Sequence, residues 1–226
     1  MILCSVTLVV VPFTTMAKDK AEIPEYTVEG LKLIPNTSEI AYVWAEPGAD
    51  LSQYSRVYLV EPAVAFRSNW RRDFNRNQSS LASRVTSSDM DRIKAGVSEI
   101  FIEVFTEELE AGGHELTNEK AEDVLIVRAA IIDLDVAAPD LRTASRTSTF
   151  TTSAGSMTLY MELYDSETGD LLAKALDPTS DRESAVLQWQ TGASNRVAAR
   201  RMMQPWAVAL RNGLDEARKA TKQVEE

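Results

Sequence analysis

From Ser156 to Asp165 the chain alternates without a break. Met157, Leu159, Met161 and Leu163 fall on one side, and Ser156, Thr158, Tyr160, Glu162 and Tyr164 on the other. A period of two with a single apolar face defines a strand buried on one side and wet on the other, the usual habit of an antiparallel sheet. A second run, Leu171 to Leu176, follows after Asp-Ser-Glu-Thr-Gly-Asp. That connection offers a side-chain acceptor at Asp165 and a Gly169 free to take positive φ, so the two runs predict a hairpin. Val124 to Ile132 is apolar on both faces, with only Arg128 interrupting, and predicts a strand in the middle of the sheet.

Around these strands the sequence places two long helices. Ser88 to Ala111 carries Met90, Ile93, Val97, Ile100, Phe101 and Val104 on one stripe at intervals of three and four. Ser88 is the expected N-cap, Asp89 and Asp91 suit the positive end of the helix dipole, and Gly112-Gly113 ends the run. Glu99, Glu103, Glu107 and Glu110 lie away from the stripe. A closing helix spans about Asn195 to Lys219, with Trp206, Leu210 and Leu214 repeating every four residues and a kink or restart expected at Pro205. Earlier in the chain, Ile40 to Trp44 is a short apolar patch. Tyr54 to Phe66 alternates like a strand, but Pro62 has no ladder donor and places it at an edge or at a bulge. The elements together predict an α+β two-layer sandwich, a mostly antiparallel sheet with two main helices packed on one face.

Residues 1–17 carry no charge, are largely apolar from Ile2 to Phe13, and end in Thr15-Met16-Ala17. They read as a secretory signal peptide cut after Ala17, although the usual positive start is missing. Cys4 does not fit a lipidation site, because Leu3 stands where a small residue should be and nothing basic precedes it. A chain cut there keeps no cysteine, and no other stretch has the length of a membrane span. The expected organisation is therefore a signal peptide over 1–17, a linker or arm over 18–37, one domain over 38–220 and a polar tail over 221–226. The net charge of −10 disfavours nucleic acid as a partner. The compartment expected is the periplasm or the cell envelope.

The order of these elements resembles a known bacterial family, the domain of unknown function 3313. The residues that carry the likeness are the tyrosine-led strand YSRVYLVEPAVAF, the helix ending in Gly-Gly and the apolar strand closing in Asp-Leu-Asp. To these are added the Gly-Ser-Met-Thr-Leu hairpin turning through Glu-Thr-Gly-Asp and a last helix with Trp206. The resemblance covers about residues 40–220. It implies an exported or envelope location and brings no established activity, so no catalytic residue and no cofactor carries over.

Chemistry has few footholds. His114 is the only histidine, and at a helix end it is expected to meet free carbonyls. One histidine and no mature cysteine cannot assemble a usual zinc site. There is no Gly-x-Ser-x-Gly elbow, no Gly-x-Gly-x-x-Gly and no phosphate-binding loop. Asp133, Asp135 and Asp140 form the tightest acidic group and are the candidate ligands for a hard cation such as calcium, against the plainer reading of solvated acids at a strand exit. The one basic island has Arg67, Arg71, Arg72 and Arg76 interleaved with Trp70 and Phe74. Arg67, Trp70, Arg71 and Arg72 are the candidate contacts to an envelope protein or to an anionic lipid or glycan, against a plainer reading in which Trp70 caps the core and the arginines pair with surface acids. The Ser/Thr-rich stretch over 141–155 is a second candidate contact surface. The function expected is a non-catalytic binding or accessory module. The alternatives are a carboxylate-dependent envelope hydrolase, and a carrier of a small apolar ligand, which needs an apolar cavity under the sheet.

Overall fold

The computed structural model of the protein describes residues 23–35, 40–137, 139, 149–151, 155–180, 188–190 and 192–224. The expected signal peptide over 1–17 lies outside the described residues, as does most of the Ser/Thr-rich stretch. The strands are β1 (Lys32–Leu33), β2 (Tyr42–Ala45), β3 (Arg56–Leu59), β4 (Ala63–Phe66), β5 (Glu115–Leu116), β6 (Val124–Val136), β7 (Thr149–Thr151), β8 (Gly155–Asp165), β9 (Leu171–Ser180) and β10 (Gln188–Gln190). The helices are α1 (Trp70–Arg76), α2 (Ser87–Ala111) and α3 (Gly192–Val224).

The main sheet runs in the order β1-β2-β9-β8-β6-β3-β5, with β4 also beside β6. From β1 to β6 every pairing is antiparallel. The pairings of β3 and β4 with β6, and of β5 with β3, are parallel. β6 thus has neighbours on both edges, as its two apolar faces require. The β8–β9 hairpin forms as the alternation predicts. Asp165 Oδ1 accepts from the backbone N–H groups of Glu167 and Thr168, each at 2.8 Å, and Gly169 takes φ +76°.

Pro62 interrupts the early strand in the way its missing donor demands. Leu59 pairs with Val127 and Ala63 with Ala130, so residues 60–62 hold one residue more than the facing part of β6. The result is a bulge that divides the run into β3 and β4. A second bulge lies in β6, where Asp133 has φ +51° and the register slips against both β4 and β8. It shifts the alternation by one, so that Ile131 and Leu134, three apart, are both buried.

The core lies between one sheet face and the helices α2 and α3. Leu125, Val127, Ile131, Leu159, Met161 and Leu163 meet Phe101, Val104, Phe105, Met203, Trp206 and Leu214 in one cluster. α2 begins one residue earlier than expected, and its cap is Thr86 rather than Ser88. Thr86 Oγ1 accepts from Asp89 N at 3.1 Å, while Asp89 Oδ2 accepts from Thr86 N at 2.9 Å. Asp89 stands at the third helical position, where an acid can return the bond to the cap.

α2 and α3 run parallel. Arg196 pairs with Glu99 and Glu103, and Arg200 with Glu103 and Glu107, in rising order along both helices. Further on, Arg211 reaches Glu108 at 2.5 Å. The glutamates that point away from the apolar stripe of α2 thus face the arginines of α3. Pro205 neither ends nor restarts α3, which continues to Val224 across the boundary expected at residue 220. The proline is exposed, so its ring sits on the solvent side while Met202, Met203, Trp206 and Ala207 stay buried behind it. That packing offsets a cost of roughly 3 kcal/mol for proline in a helix interior.

The stretch expected to be a linker is built into the sheet over residues 23–35. β1 pairs with β2, Tyr26 bridges Lys32, and Leu31 is 2% exposed. Trp44 Nε1 donates to the Pro24 carbonyl at 2.9 Å. Charges and a Pro-Gly pattern looked like a loose arm; the edge of β2 supplies the hydrogen bonds that order it.

Candidate functional site

A concavity with an aliphatic lining lies between α3 and the β2–β9–β8 part of the sheet, with a volume of about 480 Å³. Its floor is Val43 and Ala45 from β2, Met161 and Leu163 from β8, and Ala173 and Ala175 from β9. α3 contributes Ala209, Leu210, Gly213 and Leu214, and Ile34, Ile40 and Leu51 close the other side. The space exists because small residues meet across it. Ala45, Ala173 and Ala175 stand at strand positions where a core would carry larger side chains, and a Cβ built on Gly213 meets nothing within 4 Å. A glycine inside a helix costs about 1 kcal/mol relative to alanine, so Gly213 weakens α3 where it borders the groove.

The polar residues along this groove are at its margin. Asn212 and Glu216 are exposed on α3. Lys174 contributes to the lining, but its ammonium bonds Glu29 at 2.6 Å and lies 3.8 Å from Glu162. Glu162 in turn accepts from the hydroxyls of Tyr160 and Tyr164 at 2.5 and 2.8 Å. The ammonium is thereby tied to acids outside the groove. A volume of this size falls within the ~300–1,000 Å³ of small-molecule pockets, and its aliphatic floor is suited to hydrocarbon rather than to bond-making.

His114 does not end at the carbonyls of α2. Its backbone N–H does, donating to Leu109 O at 3.0 Å, but the side chain crosses to α3, with Nε2 3.2 Å from Asp215 Oδ1. The residue is 1% exposed, and Nδ1 is buried with no partner among the described residues. Burial, and then the nearby Arg218 guanidinium, push the imidazole below its ordinary range. Beside it, Arg56 grips Asp123 with two bonds, and Ser55 adds a third. The Arg56 hydrogen bond foremost, then Ser55, holds the Asp123 carboxyl well below the usual range.

The basic island separates into two parts. Arg67 is taken up by the fold, with Nε 2.5 Å from Asp135 Oδ2 and Nη1 3.2 Å from Asp73 Oδ2. Trp70 is 2% exposed, stacked on Phe66 and Phe74 at 4.2 and 5.7 Å, and donates to Val136 O at 3.3 Å. Arg71 and Arg72 are exposed; the first bonds Ser87 Oγ at 2.7 Å and the second Asp73 at 3.2 Å. Of the acidic trio, Asp133 is exposed at the β6 bulge, Asp135 is the partner of Arg67, and Asp140 lies outside the described residues. Among the described residues no group of three or more His, Cys, Asp or Glu side chains is placed to hold a metal ion.

Residues 30–209 match the model of a protein family of unknown function, DUF3313. The chain belongs to the DUF3313 family. The match begins inside the ordered arm and ends within α3, so it takes in the whole sheet and the upper part of the groove. No curated protein matches this DUF3313 chain at a significant level. Among solved structures it is similar to a DUF330-family protein from Xanthomonas campestris, at 10% identity and a TM-score of 0.41, over 79% of this chain and 94% of that one. It is similar also to a minor lipoprotein from Acinetobacter baumannii (10% identity, TM-score 0.35, 73% and 95% covered). A third likeness is to the PelC dodecamer from Paraburkholderia phytofirmans (10%, 0.32, 72% and 95%). All three similarities are too distant to carry a function across. In the DUF3313 chain no described helix is long and apolar enough to cross a membrane.

Proposed function

We propose that this DUF3313 protein is a non-catalytic binding module of the bacterial envelope and that the groove between α3 and the sheet takes the alkyl part of a small ligand. The observation that carries this reading is the aliphatic trough of about 480 Å³, in which Ala45, Ala173, Ala175 and Gly213 stand among larger aliphatic side chains. Apolar surface exposed to water in such a groove gains about 25 cal/mol per Å² when an apolar ligand covers it. The trough's shape suits a slender chain of methylenes, each worth about 0.8 kcal/mol when buried. The uncharged start of the sequence supports export, and the family resemblance points to the same compartment.

A titration of the purified chain with a fluorescent fatty acid tests it. The wild type should bind saturably, and Ala175→Phe, which fills the floor, should lower affinity at least tenfold. Gly213→Leu fills the same trough from the helix side and serves if the sheet variant folds poorly. Absence of saturable binding by the wild type, or equal binding by both filled variants, would remove the proposal.

A further inference from the structure

The exposed half of the basic island has a feature that the groove does not explain. Between residues 67 and 84 the sequence carries five arginines, Arg67, Arg71, Arg72, Arg76 and Arg84, against one acid, Asp73, in a chain of net charge −10. Arg67 is paired with Asp135 and Asp73, and Asp73 also meets Arg72. The remaining four arginines are all exposed, and among the described residues neither Arg76 nor Arg84 has an ion-pair partner. Between those two lies Leu81, 79% exposed, on a short 3-10 turn over Leu81–Ser83.

This leucine sits on a held loop. Asn75 clasps the backbone of Val85 from both sides, Nδ2 donating to its carbonyl at 2.9 Å and Oδ1 accepting from its N–H at 2.7 Å. Val85 is itself buried, as is Trp70 at the start of α1. Turn bonds from Ser83 N to Ser80 O and from Arg84 N to Leu81 O, each 3.2 Å, shape the tip. The ends of the loop are anchored in the fold, and between them an exposed leucine lies in a stretch flanked along the chain by the exposed Arg76 and Arg84. An exposed leucine gains nothing in water. At a bilayer surface it enters the interface while the arginines fork onto phosphates.

We propose that this patch is a membrane-docking surface that seats on anionic phospholipid headgroups, with Leu81 entering the interface. The chain as a whole is acidic and is repelled by such a surface unless it turns this patch towards it. Screening over about 8–10 Å at physiological salt leaves the near arginines in play and mutes the acids behind them. Docking is therefore orientation-specific, and it is independent of whether the groove holds a ligand.

Cosedimentation of the purified chain with phosphatidylglycerol and phosphatidylcholine vesicles tests it. The wild type should pellet with the anionic vesicles, lose that binding as salt is raised, and ignore the zwitterionic ones. Arg76→Glu and Arg84→Glu should each lower vesicle affinity by at least about fivefold. Leu81→Ser should lower it severalfold with no change of charge. These positions are exposed, and circular dichroism checks that the variants remain folded. Equal binding to both lipids would overturn the proposal, as would wild-type binding by the three variants. Retention on an anionic polysaccharide matrix without vesicle binding would also overturn it and assign the patch to a glycan.

Discussion

His114 is the single side chain whose ordinary proton equilibrium lies near neutrality, and its surroundings oppose the charged form. Protonation would put a second N–H on a ring whose Nδ1 is buried without an acceptor, beside the Arg218 guanidinium; Asp215 alone favours it. The folded state therefore releases its proton at lower pH than the unfolded chain does. The unfolded state binds more protons in that window, so stability rises with pH. It is at its full value above about 6.5, the ordinary histidine value, and is lost as pH falls through the depressed value. Because there is one histidine, denaturant midpoints compared at pH 7.5 and 5.5 isolate the effect. His114→Gln should flatten the difference; an unchanged slope would show that carboxylates cause it. Only part of this was legible in the sequence: a histidine after Gly-Gly marks a helix end, but Asp215, a hundred residues on, is brought to it by the fold.

At the scale of elements, local rules predicted most of what forms. Strict alternation gave β8, uninterrupted apolarity gave β6, and Asp165 with Gly169 gave the turn between β8 and β9. The misplaced cap on α2 shows how such rules compete. Ser88 and Thr86 are both good N-caps, and each has an acid three residues on, Asp91 and Asp89, so the local pattern alone does not choose between them. The helix is capped at Thr86, where Asp89 returns the bond. Thr86→Ala should cost about 1 kcal/mol and Thr86→Ser almost nothing, read as shifts in the urea midpoint at constant slope. If the alanine variant is as stable as the wild type, the reciprocal cap has no energetic role. The continuity of α3 through Pro205 and the order of the arm share one reason: tertiary contacts, to the core behind α3 and to the edge of β2, outweigh the weak preferences of the local sequence.

Across the whole molecule, the helical layer is fixed to the sheet by a few long-range joints. Asp177 on β9 accepts from Trp206 Nε1 at 2.7 Å and from Ala41 N at 2.8 Å, so one carboxylate ties α3, β9 and the entry to β2 together. Trp206→Phe keeps the ring but loses the donor, and should lower stability by about 2 kcal/mol, the scale of a hydrogen bond to a charged group. An unaltered denaturation midpoint would contradict that role. The sequence by itself determined the main layers: the strand runs of β3–β4, β6, β8 and β9, the helices α2 and α3, and the face of α2 and of β8 that avoids water. These follow from periodicity, a property of neighbours along the chain. Only the tertiary structure decided that α2 and α3 run parallel with their charges interlocked and that Trp70 is interior while Leu81 is exposed. It alone brought Ala45, Ala173, Ala175 and Gly213, scattered over three elements, to face one another across an open trough. A small side chain reads as neutral in any local pattern, and it becomes a wall or a space only when something packs, or fails to pack, against it.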